Sequence, residues 1–420
     1  MKEKQIIWQR TGKGQYEKRE VEYTPAGKSQ GAERKPTGFP PLVFIGGIAT
    51  GIALMLFIRG MGLGTPNSLS QSAQRKIGRL EKVIDQYYIG ERSPKEEEDW
   101  VYRGIVGSLG DKYAAYYNKD DLKLEEESDK GEFSGIGVTI TMDQEQGYCY
   151  VAEVNPGYPA EKAGIEKGDI FLEVDGESAQ GWTASDISAH VKGPTGTDVK
   201  LTMQRGGEEL EFVVTRAKIE VVSVYSEMKD EKAGIGYIRI AQFDIVTVDQ
   251  FRKALEGLES QGMKGLILDL RDNPGGIVNS STEIGSMMLP KGVFTYSKMK
   301  SGKKEEWNTT GEREINIPVI VLVNEGTASA AEMLTGALRD YGKATILGTT
   351  TYGKGIIQNI YSLGDGSAVE ITVGEYYLPN GECIHERGID PDIVLEFDED
   401  RYKEKGEDNQ LEEALKILKK

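Results

Sequence analysis

The sequence predicts a multi-domain α/β protein with an α/β core late in the chain. Ahead of the core stand a small β-rich domain, a helical N-terminal region and one transmembrane helix. Three observations carry this reading. At 420 residues the chain is too long for one ordinary domain. Its texture changes twice, from helical periodicity to short strands and turns near Gly131, and then to apolar runs alternating with helical stretches after Glu220. Finally, Phe39 to Ile58 is a run of residues without a charge, closed by Arg59. At about 1.5 Å per residue it makes roughly 30 Å of helix, the thickness of a bilayer core. A composition of 38% hydrophobic and 28% charged residues rules out a wholly disordered chain.

Residues 1–38 form a basic arm before the apolar run. Residues 1–59 hold 10 Lys and Arg against 5 Asp and Glu, whereas the remainder holds 41 against 63. By the positive-inside rule the arm stays cytoplasmic and everything after the helix at 39–59 is extracytoplasmic. A cleaved signal peptide is the rival, but its apolar region would be about 7–15 residues long and nearer the start. Gly47 and Gly51 make a single GxxxG pair, a lipid-facing feature or a seat for a second helix. The acidic body lacks the basic stripe that nucleic-acid binding requires. With two His, two Cys (Cys149 and Cys383) and no CxxC or HExxH, the chain offers neither a disulfide scaffold nor a zinc site. No metal or cofactor is expected, and little room is left for His-based catalysis.

Residues 60–130 read as a Gly-rich linker and a helical region. Ile77, Leu80, Val83, Ile84 and Tyr87 fall at helical spacing, and Trp100, Ile105, Val106 and Leu109 repeat the pattern after Ser93–Pro94. No chemistry is visible there; packing or homo-oligomer formation is the default, and Lys119 to Lys130 is a solvated charged run. Between 131 and 216 come strand-like runs at Ile136–Ile140, Tyr148–Val154, Ile170–Val174, Val199–Gln204 and Leu210–Val214. A single helix fits Ala184–Val191, with Thr183 as N-cap.

The segment beginning Asn155-Pro-Gly-Tyr-Pro-Ala-Glu-Lys-Ala-Gly-Ile-Glu-Lys-Gly-Asp169 resembles the PDZ signature of bacterial proteases. Upstream, Phe133, Ser134, Gly135, Ile136, Gly137 and Val138 match the carboxylate-binding loop of such domains. The glycines let backbone N–H groups converge on one point. The next strand then offers an edge for an extended peptide, with Ile187 and Val191 lining an apolar pocket. A Gly-rich hairpin without a ligand would use the same residues, and His190 is either a groove residue or an ordinary half-exposed one.

From 217 to 400 the apolar runs Gly265–Leu270 and Pro318–Val323 read as strands buried on both faces. Helical stretches follow at Val278–Met288 and Ala330–Leu338, and a third run covers Ala344–Leu347, so a mostly parallel sheet is expected. Residues 401–420 complete the chain as a helix. In such sheets the site lies at the carboxyl ends of the strands, which singles out three segments. In Leu270-Arg-Asp-Asn-Pro-Gly-Gly276, two glycines make either a tight turn or an outward-facing row of N–H donors. In Val323-Asn-Glu-Gly-Thr-Ala-Ser-Ala-Ala-Glu332, Ser329 at a helix start is either a cap or a nucleophile at a positive dipole end. In Thr351-Tyr-Gly-Lys-Gly-Ile-Ile-Gln358, Lys354 between glycines is either a solvated lysine or a base, and an offset of four lets Gln358 share its face.

Together the three segments resemble the tail-specific, or C-terminal processing, peptidases over about Ile77 to Phe397. The resemblance implies a crotonase/ClpP-like α/β protease core with an inserted PDZ domain. It further implies Ser329 as nucleophile, Lys354 as general base and Gln358 as the residue that positions the lysine. Backbone N–H groups of Gly276 (less certainly Gly275) and Ala330 would bind the oxyanion. Family members often read Ser-Ala-Ser-Ala-Ser where this chain has Thr327 and Ala331 at the outer positions; the middle serine is retained. The expected activity is that of a membrane-anchored serine endopeptidase acting on polypeptides with exposed C-terminal ends, with peptide binding to the PDZ domain opening or aligning the site. The chemistry requires a neutral lysine, so burial must lower a pKa of about 10.4 and no carboxylate should pair closely with Lys354. His385 is the alternative base. A catalytically silent PDZ scaffold or an acyl-CoA-type enzyme of the same core would be rival functions.

Overall fold

The computed structural model describes residues 69–144 and 146–420, together with two strands, Glu3–Arg10 and Tyr16–Tyr23, that pair with each other. The expected membrane helix at 39–59 lies outside the described residues. Among the described residues no helix is long and apolar enough to cross a membrane.

The chain divides into two compact units. In the first, the described residues 69–101 contain the helix Gln71–Tyr87, which Ser70 caps by accepting from Ala73 N–H at 3.2 Å. The helix Pro94–Gly107 begins in this unit. The apolar stripe read from the sequence is present but buries nothing: Leu80, Val83, Tyr87 and Trp100 are all exposed.

In the second unit, which includes residues 102–420, the charged run Lys119–Lys130 is a helix with no buried residue, within the region read as helical. Asn118 accepts from the N–H groups of Asp120 and Asp121, and Gly131 ends the helix in the left-handed conformation. A β-rich domain follows. Its sheet runs in spatial order Glu208–Thr215, Asp198–Arg205, Ile170–Val174, Tyr148–Val154 and Val138–Asp143, so Val138–Asp143 is an edge strand. The first expected strand begins at Val138 rather than Ile136, and ahead of it an unforeseen strand, Glu132–Gly135, pairs with Ala217–Glu220, where the chain leaves the domain. The helix Ala184–Val191 carries the expected Thr183 cap, with Asp186 answering as its partner in a capping box. Val151, Phe171, Ile187, Leu201 and Met203 fill a core separate from the one below.

That second core is built on a six-stranded sheet ordered Val224–Asp230, Ile235–Ile240, Gly265–Asp269, Val319–Val323, Thr345–Gly348, Ile393–Val394. Only the first pair is antiparallel. The two central strands are buried at every position, which is why they read as unbroken apolar runs. The helices Thr247–Ser260, Val278–Ser286 and Ala330–Asp340 cover one face. On the other face, Ala414 and Leu418 of the helix Asn409–Leu418 pack with Ile267, Ile320 and Leu347. A second, antiparallel sheet was not apparent in the sequence. It orders Lys304–Thr309, Gly292–Met299, Ala368–Tyr377 and Ile356–Ser362, and the short strand Ala115–Tyr117 also joins Ala368–Tyr377.

Candidate active site

The carboxyl ends of Gly265–Asp269 and Val319–Val323 deliver two turns that lock together. Asn273 is fully buried. Its side chain donates to Ile240 O at 2.8 Å and accepts from Gly275 N–H at 2.8 Å, and its carbonyl accepts from Ala328 N–H at 2.9 Å. Buried Thr327 donates to Leu270 O at 2.7 Å, so this outer hydroxyl ties one turn to the other. Between these ties sits Ser329, half-buried, with φ 54° and ψ −118°. A positive φ is costly for a residue with a Cβ and persists only where neighbours over-determine it. The turn at Gly275 is one such neighbour: a Cβ there would stand 2.7 Å from Ala328 O, 2.8 Å from Ser329 Cβ and 2.9 Å from Ala330 N. Gly275 N–H is committed to Asn273. Among the described residues, neither Gly276 N–H nor Ala330 N–H makes a hydrogen bond. Those are the two donors the sequence singled out, and Ala330 opens a buried helix.

Glu332, three residues on, was missed by sequence reasoning except as part of the motif. Its carboxylate is fully buried and accepts from four donors: Ser329 N–H at 2.8 Å, Thr351 Oγ1 at 2.5 Å, Gly353 N–H at 2.8 Å and Lys354 N–H at 2.9 Å. One oxygen, Oε2, serves both Ser329 and Lys354, so the proposed nucleophile and base are backbone neighbours. Burial raises the pKa of Glu332, and the four hydrogen bonds work against that rise.

Lys354 leads into the strand Ile356–Ser362 of the antiparallel sheet. Its flanking glycines permit close backbone contact, since a Cβ on Gly355 would stand 2.4 Å from His385 N. The lysine is half-buried, and burial lowers its pKa against the raising influence of Glu370, Tyr352, Asp111 and Glu332. Among the described residues no ion pair holds Lys354; its Nζ lies 4.6 Å from the centre of the Tyr113 ring. No hydrogen bond joins that amine to Ser329 or to Gln358 among the described residues. Gln358 donates instead to Thr372 Oγ1 at 3.1 Å. The alternation that would align the two is interrupted between them, because the register with Ala368–Tyr377 shifts between Ile357 and Gln358. His385 touches this region through its backbone, and no hydrogen bond connects it to Ser329 among the described residues.

In the β-rich domain a cavity of about 130 Å³ opens beside the edge strand. It is lined by Phe133, Gly135, Ile136, Gly137, Val138, Ile140, Ser188, Val191 and Lys192. Two expected members are elsewhere. Ile187 points into the domain core with no exposed surface, and the next residue, Ser188, faces the cavity. Ser134 turns to Thr195 Oγ1 at 2.9 Å. Lys192, unforeseen, lies at the rim with its Nζ 4.8 Å from the Phe133 ring centre. His190 stacks on Trp182 and does not line the cavity.

A serine at a strained turn ahead of a buried helix, on an α/β core, is the arrangement of a serine hydrolase. Residues 234–395 match the family model described as peptidase family S41, and residues 124–204 match that of the PDZ domain. The chain is 35% identical over 350 residues to the carboxy-terminal processing protease CtpA of Bacillus subtilis, covering 82% of this chain and 74% of that protein. It is 32% identical over 355 residues to the carboxyl-terminal-processing protease of Synechocystis, covering 79% and 83%. The solved structure of the photosystem II D1 C-terminal processing protease is 30% identical, covers 75% of this chain and 86% of its own, and superimposes with a TM-score of 0.46. The chain belongs to peptidase family S41: it is a serine peptidase of the carboxyl-terminal processing type, and it carries a PDZ domain.

Proposed function

We propose that this peptidase is held in a membrane by the helix at 39–59, with residues 69–420 extracytoplasmic, and that it cleaves through a Ser329–Lys354 dyad. One observation carries the dyad: a single buried carboxylate oxygen of Glu332 accepts from the backbone of both residues. With burial lowering its pKa, Lys354 reaches the neutral form without His, and no neighbouring carboxylate pins the charge. The amine leaves the Tyr113 ring face and takes the Ser329 Oγ proton as Oγ attacks the substrate carbonyl. The oxyanion is received by Gly276 N–H and Ala330 N–H, each with its donor uncommitted. Lys354 then returns the proton to the leaving amine, and water resolves the acyl-enzyme. Gln358 lies in the strand that Lys354 leads into and is held through Thr372.

The cavity beside Val138–Asp143 suits the end of a polypeptide. Glycines supply the N–H cradle, Phe133, Val138 and Val191 supply an apolar seat, and the open strand edge pairs with an extended chain. The substrates are exported polypeptides with exposed C-terminal ends. Incubating the full chain with an unfolded protein ending in apolar residues, beside Ser329→Ala and Lys354→Ala, tests this by mass spectrometry. Fragments from the unaltered chain alone are expected, and cleavage by Lys354→Ala would refute the dyad. Recovery of the full chain in the soluble fraction, without detergent, would refute the anchor.

A further inference from the structure

Gly110-Asp-Lys-Tyr-Ala-Ala-Tyr-Tyr117 lies outside both the residues matched to family S41 and those matched to the PDZ domain. The structure nevertheless sets it on the base. Tyr113 presents its ring to Lys354 Nζ at 4.6 Å. Asp111 is hydrogen-bonded by Thr372, the same hydroxyl that accepts from Gln358 at 3.1 Å. Lys112, 240 residues from Tyr352 in sequence, donates to its hydroxyl at 2.6 Å, and the Tyr113 and Tyr352 hydroxyls are 3.4 Å apart. The segment is pinned to the sheet that carries Gln358, with Ala115, Tyr116 and Tyr117 opposite Glu370, Val369 and Ala368.

We propose that Tyr113 is a positioning residue for the general base Lys354, and that Asp111, through Thr372, positions Gln358. The segment 110–117 thereby completes the wall around the lysine. This rests on the Ser329–Lys354 reading above. Besides Tyr113 itself, four charged or titratable groups act electrostatically on the amine: Glu370, Tyr352, Asp111 and Glu332. The segment and its partners keep each of them occupied. Tyr117 donates to Glu370 at 2.7 Å, Lys112 holds Tyr352, and Tyr113 N–H and Thr372 hold Asp111. Glu332 is filled by its own four donors. What remains to the amine is a ring face, which excludes water; the ring's attraction for a charged amine works against this, and desolvation is the larger influence on Lys354. A phenyl ring serves this purpose as well as a phenol.

The test is the pH dependence of kcat/KM for the full chain on a peptide substrate, with Tyr113→Ala, Tyr113→Phe, Thr372→Val and Lys354→Ala. Opening the ring site to water should carry the Lys354 pKa back toward its ordinary value. Tyr113→Ala is then expected to lose about tenfold at neutral pH for each unit by which the midpoint rises, and to recover at high pH. Tyr113→Phe should keep the original midpoint, and Thr372→Val should lower kcat with KM unchanged. Should Tyr113→Ala fail to fold, Tyr113→Gln fills the site with a hydrated side chain and carries the same expectation. A loss equal at every pH, or an unmoved midpoint in the ring-less variants, overturns the proposal while Lys354→Ala stays inactive. If Lys354→Ala itself retains activity, the dyad reading fails instead.

Discussion

Around Ser329 the polar atoms are settled within two turns of one parallel sheet: Asn273 fixes Gly275 and Ala328, Thr327 fixes Leu270, and Glu332 takes the Ser329 N–H. Around Lys354 the wall is gathered from segments far apart in sequence, from Asp111–Tyr117, Tyr352 and Glu370 on an antiparallel sheet. The first arm is rigid and strained; the second is a shielded cleft in which an amine waits uncommitted. A nucleophile needs a fixed direction, whereas a lysine base needs a surrounding that withholds water and whose carboxylates are occupied by other partners. The two requirements call for different construction.

The largest effects separate the arms from everything else. Ser329→Ala and Lys354→Ala should each lower kcat by about 10³–10⁴ or more, read in single-turnover cleavage. Lys354→Arg should be equally inactive, because a guanidinium stays charged at any working pH. In the unaltered enzyme the rate should rise with pH. Burial lowers the Lys354 pKa, so its neutral fraction grows through that lowered value and reaches a plateau below the range of an ordinary lysine, about 10.4. A profile that rises only at that ordinary value would erase the distinction between the arms.

Gly275→Ala strikes the rigid arm alone. With φ at 98° and Ser329 Cβ only 2.8 Å from the new methyl, the nucleophile turn must shift. A loss of about 100-fold in kcat is expected, of the size seen when an oxyanion donor is misplaced, and it should be the same at every pH. A change of pH midpoint in this variant would show that the arms are not separable. Glu332→Gln then acts on the joint between them. An amide cannot satisfy the four donors that a carboxylate accepts, and leaving buried donors unpaired costs about 1–3 kcal/mol. About tenfold lower activity with a reduced Tm is expected, and an unchanged Tm would deny Glu332 its part as a clip.

The contrast also explains what could be read from residues alone. The parallel strands were legible because Gly265–Asp269 and Val319–Val323 are buried on both faces, and the Asn-Pro-Gly-Gly and Ser329 turns are local in sequence. The contact of Tyr113 with Lys354 was not legible, since nothing in a run of mixed polar and aromatic residues tells which distant strand it will join. The expectation that Gln358 orients Lys354 applied strand spacing across a register shift between Ile357 and Gln358, and no hydrogen bond joins the two among the described residues. Ile187 was misplaced for a related reason: on a short helix one apolar residue faces the core, and its neighbour Ser188 takes the groove. Periodicity fixes a face, but not which face meets a ligand.

The smallest expected effect concerns the PDZ cavity, which contributes no atom to either arm. Lys192→Glu puts a carboxylate on the exposed rim of the cavity, beside the glycines whose N–H groups would receive the substrate's own carboxylate. Like charges there should raise KM about three- to tenfold for substrates with free, apolar C-terminal ends, which corresponds to roughly 1 kcal/mol. Turnover of a short peptide blocked at its C-terminus should be unchanged, because neither Ser329 nor Lys354 touches the altered rim. A parallel fall in kcat on that blocked peptide would mean that the PDZ domain governs how the arms close. The nucleophile arm, held by Asn273, Thr327 and Glu332, has little freedom to respond to such a signal, so the base arm would be the place to look for it.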